Sequence, residues 1–107
     1  MMPDARFTAV LQSTPHEALL RCTGELDIST LHLFREPLGK HLTPGCTNLT
    51  LDIREVFYLD SEGIGQMLQA AKVLGREGKR LRIRVNRRQQ LIFGLIGSSD
   101  LIHLELE

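Results

Sequence analysis

The chain has 107 residues, with 13 Lys and Arg against 13 Asp and Glu, and so a formal net charge of zero at pH 7. This balance argues against nucleic acid or a membrane surface as the main partner. No segment approaches the roughly 20 apolar residues that a membrane-spanning helix needs. The length suits one domain over residues 1–107, and because aromatic residues make up only 5%, its core must be mainly aliphatic.

Apolar periodicity and turn residues predict eight elements in chain order. The predicted strands are 7–11, 18–22, 48–53, 81–85 and 103–106, and the first two form a hairpin. The predicted helices are 29–38, capped by Ser29 and made irregular by Pro37, then 64–74, and finally 89–97 with Leu91, Ile92 and Leu95 on its apolar face. This order predicts an α/β domain: a mixed β-sheet with an N-terminal hairpin and βα crossover units, packed against amphipathic helices.

The segment 59–65, Leu-Asp-Ser-Glu-Gly-Ile-Gly, joins a predicted strand to the helix with the clearest amphipathic pattern. A serine there can cap the helix, because the first backbone N–H groups of a helix are unpaired and its dipole favours negative charge. The same place suits a phosphate, so Ser61 is either a helix cap or a phosphorylation switch. Gly63 and Gly65 lack the third glycine or the Gly-Lys-Ser sequence of a nucleotide loop, which favours close backbone packing.

Other chemistry-bearing residues predict structural roles. Cys22 and Cys46 belong to no metal-binding pattern, and with no signal peptide in view we expect reduced thiols in a cytoplasmic protein. The four histidines are scattered, and no Ser/His/Asp arrangement is evident, so we expect no metal, no cofactor and no catalysis. The basic residues between positions 76 and 88 predict a solvated face, and Phe57 is expected in the core.

Four segments in order resemble the STAS domain, the fold of bacterial anti-sigma factor antagonists. They are Gly24-Glu25-Leu26-Asp27, Leu51-Asp52-Ile53, the segment 59–65, and the leucine-rich segment 91–97. Each segment alone is weakly specific, but together they span nearly the whole chain, from about residue 18 to residue 106.

The resemblance implies a regulatory binding module that works by partner switching in bacterial transcription. The unphosphorylated protein would bind an anti-sigma factor that is also a serine kinase, phosphorylation of Ser61 would end that binding, and a phosphatase would restore it. Asp27 either contacts the partner or phosphate, or closes the turn after Gly24. The residues that the resemblance assigns to partner binding are Gly24, Glu25, Asp27, Tyr58, Asp60, Ser61, Glu62 and Gly63.

Glu62 departs from the family pattern, because many members have a second Ser or Thr there. A carboxylate roughly 6 Å from a phosphate would repel it by about 1 kcal/mol in water. The helix-end attraction for an anion is of similar size, about 0.3–1 kcal/mol. The alternative function is therefore a stand-alone STAS accessory subunit of an ABC-type lipid or anion transport system, in which Ser61 is only a cap. A phosphotransferase or hydrolase is a third reading, which turnover by the isolated domain would support.

Overall fold

The computed structural model describes residues 6–96 and 102–106. In this part of the chain, strands and helices follow one another in the order β1, β2, α1, β3, α2, β4, α3, β5. Their bounds are β1 Phe7–Ser13, β2 Glu17–Leu26, α1 Leu31–His41, β3 Asn48–Leu59, α2 Ser61–Arg76, β4 Leu81–Val85, α3 Arg87–Ile96 and β5 Ile102–Leu106.

The five strands form one sheet in the order β1-β2-β3-β4-β5. β1 and β2 pair antiparallel, from Phe7 opposite Gly24 to Ser13 opposite Ala18, because the short turn between them forces the chain back on itself. The other three pairings are parallel, and a helix connects each pair of strands. The architecture is the mixed sheet with an N-terminal hairpin and crossover units that the sequence predicts.

Alternate residues of the central strands build the core. In β3 and β4 the buried residues are Leu49, Leu51, Ile53, Leu81, Ile83 and Val85, each at most 1% exposed. Fully burying such a side chain is worth about 1.5–3 kcal/mol, so these two strands contribute strongly to stability. Phe7 and Phe34 pack edge to face with ring centroids 6.2 Å apart and tie α1 to β1.

Charged side chains of four neighbouring strands form a row across the sheet. Arg21, Asp52, Arg84 and Glu105 lie at consecutive register positions on β2 to β5, so positive and negative charges alternate across the sheet. Asp52 is buried and accepts two hydrogen bonds from the Arg54 guanidinium, at 2.9 and 2.8 Å. This guanidinium holds the pKa of Asp52 below its usual range, against the opposing effect of burial.

Several strands extend further than the sequence predicts. β1 continues past residue 11, β2 past residue 22 to Leu26, and β3 past residue 53 to Leu59. Two register shifts in the β2–β3 pairing, after Arg21 and after Gly24, explain the error for β3. A bulge adds a residue to one strand and reverses which side chains face the core, so the alternation stops although the backbone pairing continues. The shifts do not explain the error for β2, where the buried residues still alternate to Leu26.

The helix predictions also need correction. α2 begins at Ser61, three residues before the predicted start, and α3 begins at Arg87. α1 begins at Leu31 after Thr30 and runs through Pro37 to His41. The predicted end of the last helix, Gly97, lies outside the described residues. Its predicted apolar face is wrong for Leu91 and Leu95, which are exposed, and right for Ile92, which packs against the core. Phe93 and the polar Gln89 are buried instead.

Candidate functional site

The turn from β3 into α2 is held by an aspartate. Asp60 has extended backbone angles, φ −101° and ψ 178°, and its carboxylate accepts hydrogen bonds from the backbone N–H of Glu62 and Gly63, both at 3.1 Å. It is therefore the N-cap residue, and a carboxylate at this end also complements the helix dipole. The prediction that Ser61 caps the helix is wrong, because Asp60 supplies the cap and Ser61 is already the first residue of the helix.

Ser61 is the first residue inside α2 and is exposed. Within the described residues, no hydrogen bond occupies its hydroxyl group. Glu62 follows it in the first helical turn and is also exposed. The serine thus stands between two carboxylates, and Asp60 already accepts from two of the N–H groups that would otherwise bind an anion.

The second predicted site segment lies on the neighbouring strand. Gly24 and Glu25 belong to β2, so the expected turn over residues 24–27 begins later, at Asp27. Gly24 has a positive φ of 103°, and any Cβ at this position would collide with the Arg6 carbonyl oxygen. That same oxygen accepts a hydrogen bond of 2.7 Å from the Glu25 N–H. The glycine is therefore required by the bulge and by the close passage of the chain that precedes β1.

Asp27 closes the turn between β2 and α1. Its Oδ1 accepts hydrogen bonds from the Ser29 N–H at 2.8 Å, the Ser29 hydroxyl at 2.6 Å and the Thr30 N–H at 3.1 Å. These bonds, that of the Ser29 hydroxyl above all, hold the pKa of Asp27 below its usual range. Of the two roles left open by the sequence, the geometry supports turn closure directly.

Backbone contacts hold the two segments together. The Asp60 N–H donates to the Leu26 carbonyl oxygen at 3.2 Å. A Cβ on Gly63 would lie 2.9 Å from side-chain atoms of both Leu26 and Leu59. Gly63 therefore lets α2 approach the ends of β2 and β3, as the sequence predicts, whereas Gly65 has open space and needs no such explanation.

Three large apolar side chains are exposed at the ends of β2 and β3. Ile28 is 73% exposed, Phe57 is 68% exposed and Tyr58 is 52% exposed. Tyr58 was a predicted contact residue, but the prediction that Phe57 belongs to the core is wrong, because the second register shift in the β2–β3 pairing coincides with it. Sequence reasoning missed Ile28; an isolated apolar residue between Asp27 and Ser29 in a turn was the available signal.

Sequence reasoning also missed how α3 begins. The Asn86 Oδ1 accepts from the Gln89 N–H at 2.9 Å, and the Gln89 Oε1 accepts from the Asn86 N–H at 3.0 Å, which is a reciprocal capping box. The Gln89 Nε2 then donates to two carbonyl oxygens of β3, those of Ile53 at 2.6 Å and Val56 at 2.9 Å. The spacing Asn-x-x-Gln before an apolar run was the signal that could have found it.

The structure also shows where the two cysteines lie. Cys22 and Cys46 are free and buried, and burial, with Asp52 as a smaller cause, raises the pKa of Cys22 to about 12. A thiol with that pKa is a poor nucleophile at neutral pH.

In residues 6–96 and 102–106, no three His, Cys, Asp or Glu side chains cluster in a way that could hold a metal ion. None of the described helices is both long and apolar enough to cross a bilayer.

The structure is that of a small α/β domain whose candidate surface is a strand-to-helix turn. Comparison with known proteins identifies the family. The family model described as "Mlab, STAS domain" matches residues 9–103. The anti-sigma-B factor antagonist of Staphylococcus aureus is 32% identical over 82 residues, which are 76% of each chain. The chain belongs to the STAS domain family, among homologues of anti-sigma factor antagonists, which are regulatory proteins and not enzymes.

Solved structures support the same fold. An anti-sigma factor antagonist from Mycobacterium paratuberculosis matches with a TM-score of 0.75 and 16% identity, over 91% of this chain and 85% of that one. The phosphorylated form of SpoIIAA, a Bacillus cell fate determinant, matches with a TM-score of 0.73 and 18% identity, over 94% of this chain and 93% of that one. The predicted STAS fold is therefore confirmed.

Proposed function

We propose that this chain is an anti-sigma factor antagonist of the cytoplasm whose binding to an anti-sigma factor is switched by phosphorylation of Ser61. The observation that carries the proposal is the position of Ser61. It is exposed at the first residue of α2, its hydroxyl makes no hydrogen bond among the described residues, and the cap is supplied by Asp60. A kinase could modify such a serine without removing any interaction that holds the helix.

The effect of a phosphate follows from the charges around Ser61. Phosphorylation adds about −1.5 to −2 charges at pH 7. Asp60 and Glu62 already stand on either side, and two N–H groups of the helix start are taken by Asp60. The phosphate would therefore meet repulsion instead of a prepared site, so it would face outward. Its action would be on the partner, by repulsion and by the free energy of desolvating it in an interface.

The proposed contact surface includes both segments of the site. Ser61 and Glu62 lie at its centre, and Tyr58 and Ile28 offer exposed apolar area. The neighbouring edge of the surface is formed by Gly24, Glu25 and Asp27. Because the Asp60 N–H bonds to the Leu26 carbonyl oxygen and Gly63 lies against the Leu26 side chain, the two segments are already joined before binding. A preformed surface suits a switch that needs no change of fold.

The experiment compares the wild type with Ser61→Ala and Ser13→Ala in ATP, Mg²⁺ and host extract, followed by intact mass and peptide mapping. Ser13 is an exposed serine at the end of β1 and is the matched control. We expect one phosphate on the wild type and on Ser13→Ala, and none on Ser61→Ala. No modification in an extract that phosphorylates a control antagonist would contradict the proposal.

Binding tests the second half of the proposal. Ser61→Ala should bind the anti-sigma factor as the wild type does, and Ser61→Asp should bind more weakly. Equal affinities for Ser61→Asp and the wild type would contradict the switch. A phosphatase that acts on phosphorylated Ser61 completes the cycle, and its removal should leave the protein in the modified, unbound form.

Glu62 favours one second candidate, an accessory subunit of an ABC-type lipid or anion transport system. With a carboxylate after Ser61 and Asp60 as the cap, the helix start is complete without any phosphate. Affinity purification from the host separates the two functions: recovery of an ATPase of the ABC type supports the transport subunit, and recovery of an anti-sigma factor kinase supports the antagonist.

A further inference from the structure

β3 is much longer than its pairing with β4. The two strands pair only at residues Leu49 to Asp52 of β3, whereas β3 itself continues to Leu59 with β2 on its other side. From residue 53 to residue 59, the edge that faces away from β2 is therefore covered by no described strand. An uncovered edge presents backbone N–H and C=O groups that can pair with another chain.

Side chains from α3 and the residue before it cover only the first half of this edge. Gln89 donates to the carbonyl oxygens of Ile53 and Val56, and Asn86 donates to that of Arg54 at 3.2 Å. Among the described residues, no hydrogen bond from α3 reaches residues 57–59. Three carbonyl oxygens of the first half are therefore already paired, and the second half is available.

A groove runs along this edge. It has a volume of about 370 Å³ and lies between the end of β3 and the start of α3; we call it the β3–α3 groove. Its lining residues are Arg54 to Leu59 on the strand side and Asn86, Arg88, Gln89 and Ile92 on the helix side. Phe57 and Ile92 offer apolar surface, since Phe57 is exposed and Ile92 half-buried.

The helix side of the groove is positively charged. Arg88 lines the groove and is exposed, and Arg87, which is not a lining residue, precedes it in the chain. The first turn of α3 contains no acidic residue, and the helix N-terminus adds a partial positive charge. Glu55 is the acidic residue of the lining, and it belongs to the strand wall. The charge at the helix wall therefore complements a carboxylate on whatever occupies the groove.

We propose that the β3–α3 groove binds an extended acidic segment of a partner protein, which adds as a strand to the free edge of β3 at residues 57–59. In this arrangement the main chain of the segment pairs with the edge, an apolar side chain packs against Phe57, and a carboxylate lies beside Arg88. The proposal goes beyond the Ser61 switch and does not depend on it, because no residue of the groove is modified.

The first test is an NMR titration of the ¹⁵N-labelled protein with the acetylated, amidated peptide Glu-Val-Glu-Val-Glu-Val. We expect saturable shifts of the amide signals of residues 55–59 and 86–92, and weaker binding of the matched Lys-Val peptide. Absence of saturable shifts there at millimolar peptide, or equal binding of the two peptides, would overturn the proposal.

Two further peptides test the main-chain pairing. In each, alternate amide nitrogens are methylated, so that one of the two edges of the peptide can no longer donate hydrogen bonds. We expect one of these peptides to lose at least about tenfold in affinity. If both bind as tightly as the parent peptide, side chains alone are recognised and strand addition is wrong.

Variants of the groove complete the test. Phe57→Ser and Arg88→Glu change exposed side chains and should weaken binding of the Glu-Val peptide at least about fivefold. Val10→Ser is the control, since Val10 is also an apolar side chain more than half exposed, at 57%, but lies on β1. An equal loss with Val10→Ser would contradict the groove.

Concentration dependence separates a partner from a second copy of this chain. Shifts at residues 55–59 that grow with protein concentration without any peptide would show that the groove pairs with another copy, which would overturn the proposed occupant. Because neither readout needs a kinase or an anti-sigma factor, a negative result here leaves the Ser61 proposal standing.

Discussion

The starts of α2 and α3 lie after neighbouring parallel strands, yet their polar residues serve different ends. α2 begins with Asp60 as a local cap, and the next two residues, Ser61 and Glu62, are exposed. At α3, Asn86 and Gln89 cap each other, and Gln89 is buried and bonded to β3. One helix start leaves its residues available at the surface, and the other uses them to hold the fold together.

This contrast separates a signalling position from a structural one. A serine that caps nothing can be modified without destabilising its helix, whereas a glutamine that satisfies two buried carbonyl groups cannot be replaced without leaving them unpaired. The local charges differ as well: the start of α2 is acidic and that of α3 is basic.

Gln89→Ala should lower the free energy of unfolding by about 3 kcal/mol. The reason is that the Ile53 and Val56 carbonyl oxygens and the Asn86 N–H all lose their partner. Urea unfolding followed by circular dichroism measures the loss. Gln90→Ala is the control, since Gln90 is exposed and should change stability by less than about 0.5 kcal/mol. A loss below about 1 kcal/mol for Gln89→Ala would show that water replaces these bonds.

Gly63→Ala should destabilise the protein by about 1–2 kcal/mol, because the new methyl group must displace the side chains of Leu26 and Leu59. Gly65→Ala is the matched variant two residues along the same helix, with no atom within 4 Å of the new Cβ. It should be stabilising by about 0.5–1 kcal/mol through helix propensity. Thermal unfolding of the two variants should therefore give shifts of opposite sign; shifts of the same sign would contradict the packing role of Gly63.

Asp60→Ala should cost about 1 kcal/mol of stability, since it removes the carboxylate that accepts from the Glu62 and Gly63 N–H groups. Denaturant unfolding at neutral pH measures this change. Asp60→Asn keeps a capping oxygen and should recover most of the loss. If Asn and Ala variants are equally unstable, the charge at the helix end and not the hydrogen bonds is what matters.

Ser61→Ala should change stability by less than about 0.5 kcal/mol, because Ser61 is exposed and is not the capping residue. The same unfolding measurement, made beside Asp60→Ala, decides between the two residues. A loss as large as that of Asp60→Ala would mean that the serine hydroxyl does cap α2 in solution. A very small change in the free energy of unfolding would support a serine that serves modification or binding and not stability.

The regular parts of this protein could be predicted from sequence. β4 was predicted with the bounds that the structure has, because five residues alternate strictly between a buried and a solvated face. β3 was predicted only to residue 53, because bulges interrupt the alternation while the pairing with β2 continues. The apolar face of α3 was predicted correctly for Ile92 and wrongly for Leu91 and Leu95, which repeat at helical spacing although both are exposed.

The candidate site divides in the same way. The class of fold, the strand-to-helix position of residues 59–65 and the close packing at Gly63 could be predicted, because local periodicity, turn chemistry and residue size can be read along the chain. Three features became visible only in the folded chain: Asp60 and not Ser61 caps α2, Gln89 spans from α3 to β3, and part of the β3 edge stays open. Those outcomes depend on which atoms lie within hydrogen-bonding distance after packing, and the order of neighbouring residues does not specify those distances.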